Sequence, residues 1–178
     1  MKDIKAFLKG KSLLAIFPHP DDEAFSSSGL MSYQASLGTK VELICLTDGE
    51  FAGGSSSQSL GDLRKAELLA SCELMNIAPP ICPGFPDGQL KQSDTLYRFL
   101  EAQIDERIPD IVLSFCEDGA YGHIDHVVLS QYLYEILELR KNTVFLGSAF
   151  LYGFFTPLFK RLSRFRSGEL LARELRAD

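Results

Sequence analysis

Two features of the sequence predict an α/β domain built on a mostly parallel sheet. Short apolar runs alternate with longer segments of helical spacing. The chain has 178 residues with 46% apolar content, enough for one sizeable core. No charge run, low-complexity block or internal repeat divides it, so residues 1–178 are expected to form a single domain.

The elements follow in order. Lys2, Lys5, Lys9 and Lys11 precede Leu13–Phe17, a run too short for a signal-peptide core and read as the first strand. Ala24–Leu37 has helical spacing and is closed by Gly38. Val41–Thr47 is the second strand, ending at Asp48-Gly49. Gly53–Ser59 is a Gly/Ser-rich loop, after which Asp62 is expected to cap a helix over Leu63–Met75. A short third strand is expected around Ile81, between Pro79, Pro80 and Pro83. Asp94 is expected to cap a helix running to about Arg107, with Leu96, Phe99, Leu100 and Ile104 on one face. Ile111–Phe115 is the fourth strand, a helix over about Asp125–Leu139 follows, and Thr143–Tyr152 is the fifth strand.

This order implies a Rossmann-like three-layer α/β/α domain, because right-handed crossovers place helices on both faces of a parallel sheet. With strand order 3-2-1-4-5, strands one and four are neighbours where the order reverses. The loops beyond their carboxyl ends then form the preferred ligand site. Those loops carry His19-Pro20-Asp21-Asp22-Glu23 and Tyr121–His126.

Composition excludes some classes. A formal net charge of -6 argues against a nucleic-acid partner. Cys45, Cys72, Cys82 and Cys116 are scattered and form no C-x-x-C pair, which suits reduced thiols in a cytoplasmic protein. Residues 144–159 are uncharged, but Gly147, Gly153 and Pro157 interrupt them and they fall short of the ~20 residues of a transmembrane helix. The segment is read as a buried terminal strand leading into a basic amphipathic tail, residues 151–178, with Lys160, Arg161, Arg164 and Arg166. A homo-oligomer interface through this apolar region, or interfacial membrane contact, is the alternative.

The chain has three histidines, His19, His123 and His126, all in the two loops predicted to converge and beside Asp21, Asp22, Glu23 and Asp125. Helix capping accounts for the aspartates and leaves the histidines unexplained. A hydrolytic zinc site uses three His, Asp or Glu ligands and one open position. His19 and Asp22, three positions apart, can turn inward together, and one histidine of the second loop would complete the set. These ligands favour zinc, while iron(II), manganese or cobalt(II) suit the same geometry. A further carboxylate, with Asp21 the first choice, would act as general base. The remaining histidine would act as proton donor or oxyanion stabiliser, oriented by Asp125.

At these residues the sequence resembles the PIG-L/LmbE-like family of zinc-dependent N-acetylglucosamine deacetylases. The first signature is Pro18-His19-Pro20-Asp21-Asp22-Glu23 and the second is Gly119-Ala120-Tyr121-Gly122-His123-Ile124-Asp125-His126. Between them lie Thr47-Asp48-Gly49-Glu50, Arg64-Lys65-Ala66-Glu67-Leu68 and Phe85-Pro86-Asp87-Gly88, so the likeness covers about residues 12–150. The resemblance implies that His19, Asp22 and His126 bind the metal and that Asp21 is the general base. It also implies that His123 stabilises the oxyanion or protonates the amine, and that Tyr121 contacts the reacting carbonyl. Arg64 and Asp48 are the substrate contacts it suggests, Arg64 being equally suited to a surface ion pair. Ile124 stands where proline is common. Many members continue beyond the point matching Asp178 with further substrate-binding segments, so the resemblance extends to the metal centre more firmly than to the aglycone pocket, which a partner subunit could complete.

The expected activity is removal of an N-acetyl group from a glucosamine-containing small molecule. The alternatives are an amidase acting on another amide conjugate, and a catalytically silent sugar-binding or scaffold protein. A dinucleotide-binding oxidoreductase is disfavoured, because the turn after the first strand has no G-x-G-x-x-G.

Overall fold

The computed structural model describes residues 4–52, 57–90 and 93–149. The basic tail, the end of the expected fifth strand and the oligomer interface expected there lie outside the described residues. A short helix α1 (Ile4–Leu8) precedes β1 (Leu13–Phe17). Then come α2 (Asp22–Ser26), α3 (Ser28–Ser36), β2 (Val41–Cys45), α4 (Gln58–Met75) and α5 (Asp94–Arg107). The described chain closes with β3 (Ile111–Phe115), α6 (Gly119–Gly122), α7 (Ile124–Glu138) and β4 (Val144–Ser148).

The four strands are parallel, in the order β2-β1-β3-β4. Side chains alternate between the two faces of each strand. Leu14, Ile16, Ile44 and Val112 pack against α5 and α7 through Leu100, Ile104, Leu129 and Leu133. On the other face Leu13, Phe17, Leu43, Leu113 and Phe115 meet Met31, Leu68 and Cys72 from α3 and α4. Every residue of β1 and β3 is buried, as a strand covered on both faces requires. Truncating one such side chain, for example Leu100→Ala, removes about 2–5 kcal/mol.

Four expectations need correction. The expected third strand is reduced to two single-residue parallel bridges, Ile44↔Ile81 and Thr47↔Phe85, on the outer side of β2. Pro79, Pro80 and Pro83 lack the N–H donors that a longer ladder needs. The expected helix over 24–37 is two helices with a break at Ser27, whose hydroxyl bonds that of Ser148 at 2.9 Å. Helix α4 starts five residues earlier than expected, because Ser57 rather than Asp62 caps it by accepting from the Leu60 N–H. Ser93 likewise caps α5, leaving Asp94 in its first turn.

Candidate metal centre

Because β1 and β3 are neighbours, the loops beyond their carboxyl ends meet. Thr47, beyond β2, fixes the first loop: its N–H and its hydroxyl both donate to the Pro18 carbonyl, each at 2.9 Å. The second loop turns through α6, and His123 caps α7 by accepting the Asp125 N–H at 3.3 Å. Gly119 is required at that turn. Its φ is +62°, and an added Cβ would lie 2.9 Å from Val127 Cγ2 and 3.0 Å from His126 Cβ. The His126 ring stacks on Phe115 with centroids 4.3 Å apart and planes at 4°.

Hydrogen bonds set the tautomers of both buried imidazoles. His126 Nδ1 lies 3.2 Å from the Gly119 carbonyl and so carries a proton, which aims the lone pair of Nε2 into the cluster. His19 Nε2 lies 3.1 Å from Asp125 Oδ2 and 3.1 Å from Asp87 Oδ1, so it too donates, and Nδ1 faces the cluster. Asp125, fully buried, also accepts the N–H groups of Gly88 (2.9 Å) and Leu90 (3.1 Å). Asp22 Oδ2 accepts the His19 N–H at 2.9 Å.

His19 Nδ1 and His126 Nε2 are 3.2 Å apart. Asp22 reaches the first with Oδ2 and the second with Oδ1, each at 3.4 Å. Neighbouring ligands of a tetrahedral ion with bonds of about 2.0–2.1 Å are separated by about 3.3–3.4 Å, so this buried donor set fits a divalent cation. Burial favours a neutral His19, but hydrogen bonds to Asp125, Asp22 and Asp87 hold its pKa up at about 11. His126 is pushed down to about 4, first by burial and against the pull of Asp22. The pair thus shares one proton held on His19; a cation would take the place of that proton and release it. His123 belongs to a second donor grouping with His19 and His126, and Asp87 with Asp125 forms another around His19.

Asp21 stands at the mouth of a cleft of about 220 Å³, lined also by His19, Asp22, Phe51, Arg64 and His123. Its side chain is 73% exposed and pairs with Arg64 Nη2 at 3.1 Å. Desolvation at the cleft wall, then the Asp22 carboxylate, raises its pKa against the opposing pull of Arg64. Arg64 also donates to the carbonyls of Pro20 and of Gly49, the latter at 2.9 Å. It is therefore an internal tether as well as a cleft residue. Burial pushes the His123 pKa down.

The structure thus gathers His19, Asp21, Asp22, His123, Asp125 and His126, with Arg64 against Asp21. Asp125 differs from expectation: its carboxylate orients His19, while its backbone N–H meets His123. Asp48 is bonded to Lys65 at 2.9 Å and is not among the cleft-lining residues. Tyr121 lies in α6, and the expectation for its side chain falls outside what is described. Two buried acids received no role from the sequence. Asp87 carries a signal that would have revealed it, a carboxylate just past the third apolar run on the carboxyl side of the sheet. Glu23, 1% exposed, carries none beyond its place in the first signature.

The family described as PIG-L, GlcNAc-PI de-N-acetylase, matches residues 14–137. A 1D-myo-inositol 2-acetamido-2-deoxy-alpha-D-glucopyranoside deacetylase of Acidothermus cellulolyticus is 28% identical over 146 residues, covering 66% of this chain and 50% of its own length. The chain spans about half the length of the curated relatives it matches first. Among solved structures, an N,N'-diacetylchitobiose deacetylase of Pyrococcus horikoshii superposes with a TM-score of 0.67 at 24% identity, over 78% of this chain and 54% of that one. The 4-carboxy-2-hydroxymuconate hydratase of Pseudomonas putida gives a TM-score of 0.63 at 23% identity, over 72% and 56%. At such identities these two likenesses are of fold. The family match, which runs from within β1 into α7 and spans well over half the sequence, is more than that: the chain belongs to the PIG-L family.

Proposed function

We propose that this protein is a divalent-metal-dependent hydrolase that removes the N-acetyl group from a glucosamine-containing small molecule, releasing acetate and a free amine. The observation that carries the reading is the convergence of His19 Nδ1, His126 Nε2 and the Asp22 carboxylate beside an open cleft with Asp21 at its mouth. These three residues would hold the metal, for which zinc best suits two imidazoles and a carboxylate. When bound, the metal polarises the amide carbonyl and acidifies water.

The chain's own groups supply the rest. Asp21 takes the proton of the attacking water and delivers it to the departing amine. His123 accepts a hydrogen bond at Nδ1, so its proton sits on Nε2 as a donor for the developing oxyanion. Arg64 keeps the Asp21 carboxylate at the cleft mouth. Asp125 and Asp87 hold the His19 proton on Nε2. The four cysteines are free thiols, which fits a cytoplasmic setting, and no helix among the described residues is long and apolar enough to cross a membrane.

The test is metal analysis of the purified protein together with acetate release from N-acetylglucosaminyl conjugates of inositol and malate and from N,N'-diacetylchitobiose. Asp21→Ala is expected to keep the metal and lose turnover by a factor of about 10²–10⁴, whereas Asp22→Ala loses both. Stoichiometric metal without acetate from any conjugate would favour a silent binding protein. Acetate release is measured directly because the same fold also serves a hydratase.

A further inference from the structure

Glu23 is a carboxylate buried to 1% exposure that the proposed chemistry does not use. It lies two residues from the one non-glycine position in this loop with a left-handed backbone. Asp21 has φ 112° and ψ −25°. Its ψ is ordinary for the start of a helix, and the whole departure is in φ. A flip of the Pro20–Asp21 peptide by 180° would bring φ to about −68°, an unstrained helical value. Something must hold the peptide in the unfavourable sense, and both of its polar groups are gripped. The Asp21 N–H donates to Glu23 Oε2 at 3.1 Å, and the Pro20 carbonyl accepts from Arg64 Nη2. In the flipped state the carbonyl would face the Glu23 carboxylate and the N–H would face the guanidinium, acceptor against acceptor and donor against donor.

The two grips share one base. Arg64 lies on α4, and Glu23 Oε1 accepts the hydroxyl of Ser71, two turns further along the same helix, at 2.8 Å. Arg64 Nη2 also donates to Asp21 Oδ2, while Nη1 is fixed by the Gly49 carbonyl. The aim of the exposed Asp21 side chain therefore depends on where Arg64 stands, and that depends on the Pro20 carbonyl whose direction Glu23 sets.

We infer that Glu23, anchored by Ser71, is a positioning residue for Asp21: it locks the Pro20–Asp21 peptide in the orientation that lets Arg64 hold the Asp21 carboxylate at the cleft mouth. The inference rests on the proposed role of Asp21 for its kinetic consequence and on geometry alone for its structural one, so it is tested by two readouts. In Glu23→Ala the N–H loses its acceptor. Crystals of that variant are expected to show Asp21 at negative φ, with the Pro20 carbonyl turned away from Arg64. Its metal content should equal that of the wild type, and with N,N'-diacetylchitobiose kcat should fall roughly tenfold while KM changes less than about twofold. Glu23→Gln keeps an oxygen for the Asp21 N–H and an amide for the Ser71 hydroxyl. It is expected to retain the left-handed Asp21 and at least half of kcat, and it serves as the informative variant if the alanine form does not fold. Ser71→Ala, which leaves the acceptor but removes its anchor, should lose about two- to threefold in kcat.

Asp21 remaining at φ near 112° in Glu23→Ala, or Glu23→Gln flipping the peptide, would overturn the inference. So would loss of metal from Glu23→Ala, which would make the residue a support of Asp22. If the wild type releases no acetate, the proposed function fails while the φ of Asp21 in the variant still decides the clamp.

Discussion

Replacing Asp125 by asparagine tests the tautomer argument on which the metal centre rests. The Asp125 carboxylate faces three donors, His19 Nε2–H and the N–H groups of Gly88 and Leu90. An asparagine has one oxygen and one NH₂ in their place. The amide oxygen can keep the place of Oδ2 and serve both His19 Nε2–H and the Gly88 N–H, which turns the NH₂ against the Leu90 N–H and removes the carboxylate charge that held the His19 proton on Nε2. The imidazole is then held less firmly with Nδ1 toward Asp22 and His126. Loss of a hydrogen-bonded partner behind a metal-bound histidine typically costs 10–100-fold in affinity. Asp87 still accepts from His19 Nε2, so Asp125→Asn should fall near the lower end, about tenfold, and the Asp87→Asn, Asp125→Asn double variant near the upper. The buried Leu90 N–H left without its acceptor adds about 1–3 kcal/mol of lost stability. Zinc titration against a competing chelator at neutral pH gives the affinities, and urea unfolding of the metal-free proteins gives the stability. Affinity in the double variant within about twofold of the wild type would refute the tautomer assignment and the choice of His19 Nδ1 as the metal-facing atom.

Gly49→Ala places a Cβ against the Arg64 guanidinium at a position with φ +66°, so it should displace that group, lower stability by about 1–3 kcal/mol and reduce kcat for acetate release; thermal melting and the deacetylation assay check both. Asp110 accepts the N–H and the hydroxyl of Ser12, each at 2.8 Å, and these bonds hold its pKa below the usual carboxylate range. A depressed folded-state pKa contributes stability above about pH 4, the unfolded value, and loses it as pH falls through the folded one. At this exposed site Asp110→Ala should cost no more than about 1 kcal/mol at pH 7. In urea unfolding the gap between variant and wild type should narrow below pH 4; a gap that widens on acidification would contradict the assignment.

Much of this centre is legible in the sequence because its parts are local. The alternation of elements and the buried runs Leu13–Phe17 and Ile111–Phe115 give the order of the sheet. The placement of all three histidines in two post-strand loops then points to one site. Spacing also suggests that His19 and Asp22 act together. Other features depend on competition that a local pattern does not record. Ser57 and Asp62 are both capable helix caps, and in the fold it is Ser57 that accepts the Leu60 N–H while Asp62 lies inside α4. The helix expected over 24–37 breaks at Ser27 where its hydroxyl meets Ser148, a partner 121 positions away. The run around Ile81 has the composition of a strand, but its prolines remove donors, and only single bridges to β2 form.

The sequence by itself determined the type of fold and the residues available for a metal, since strand periodicity and loop position follow from near neighbours along the chain. Only the tertiary structure decided which nitrogen of each histidine faces the cluster, because that depends on acceptors brought from elsewhere: Gly119 for His126, and Asp87 with Asp125 for His19. It also decided that Asp125 serves His19, that Arg64 grips Pro20, Gly49 and Asp21 from within, and that Glu23 holds a strained peptide from below. Hydrogen bonds are short and directional, so the partners of a buried polar group follow from where the fold carries the groups around it, and residue type alone leaves that choice open.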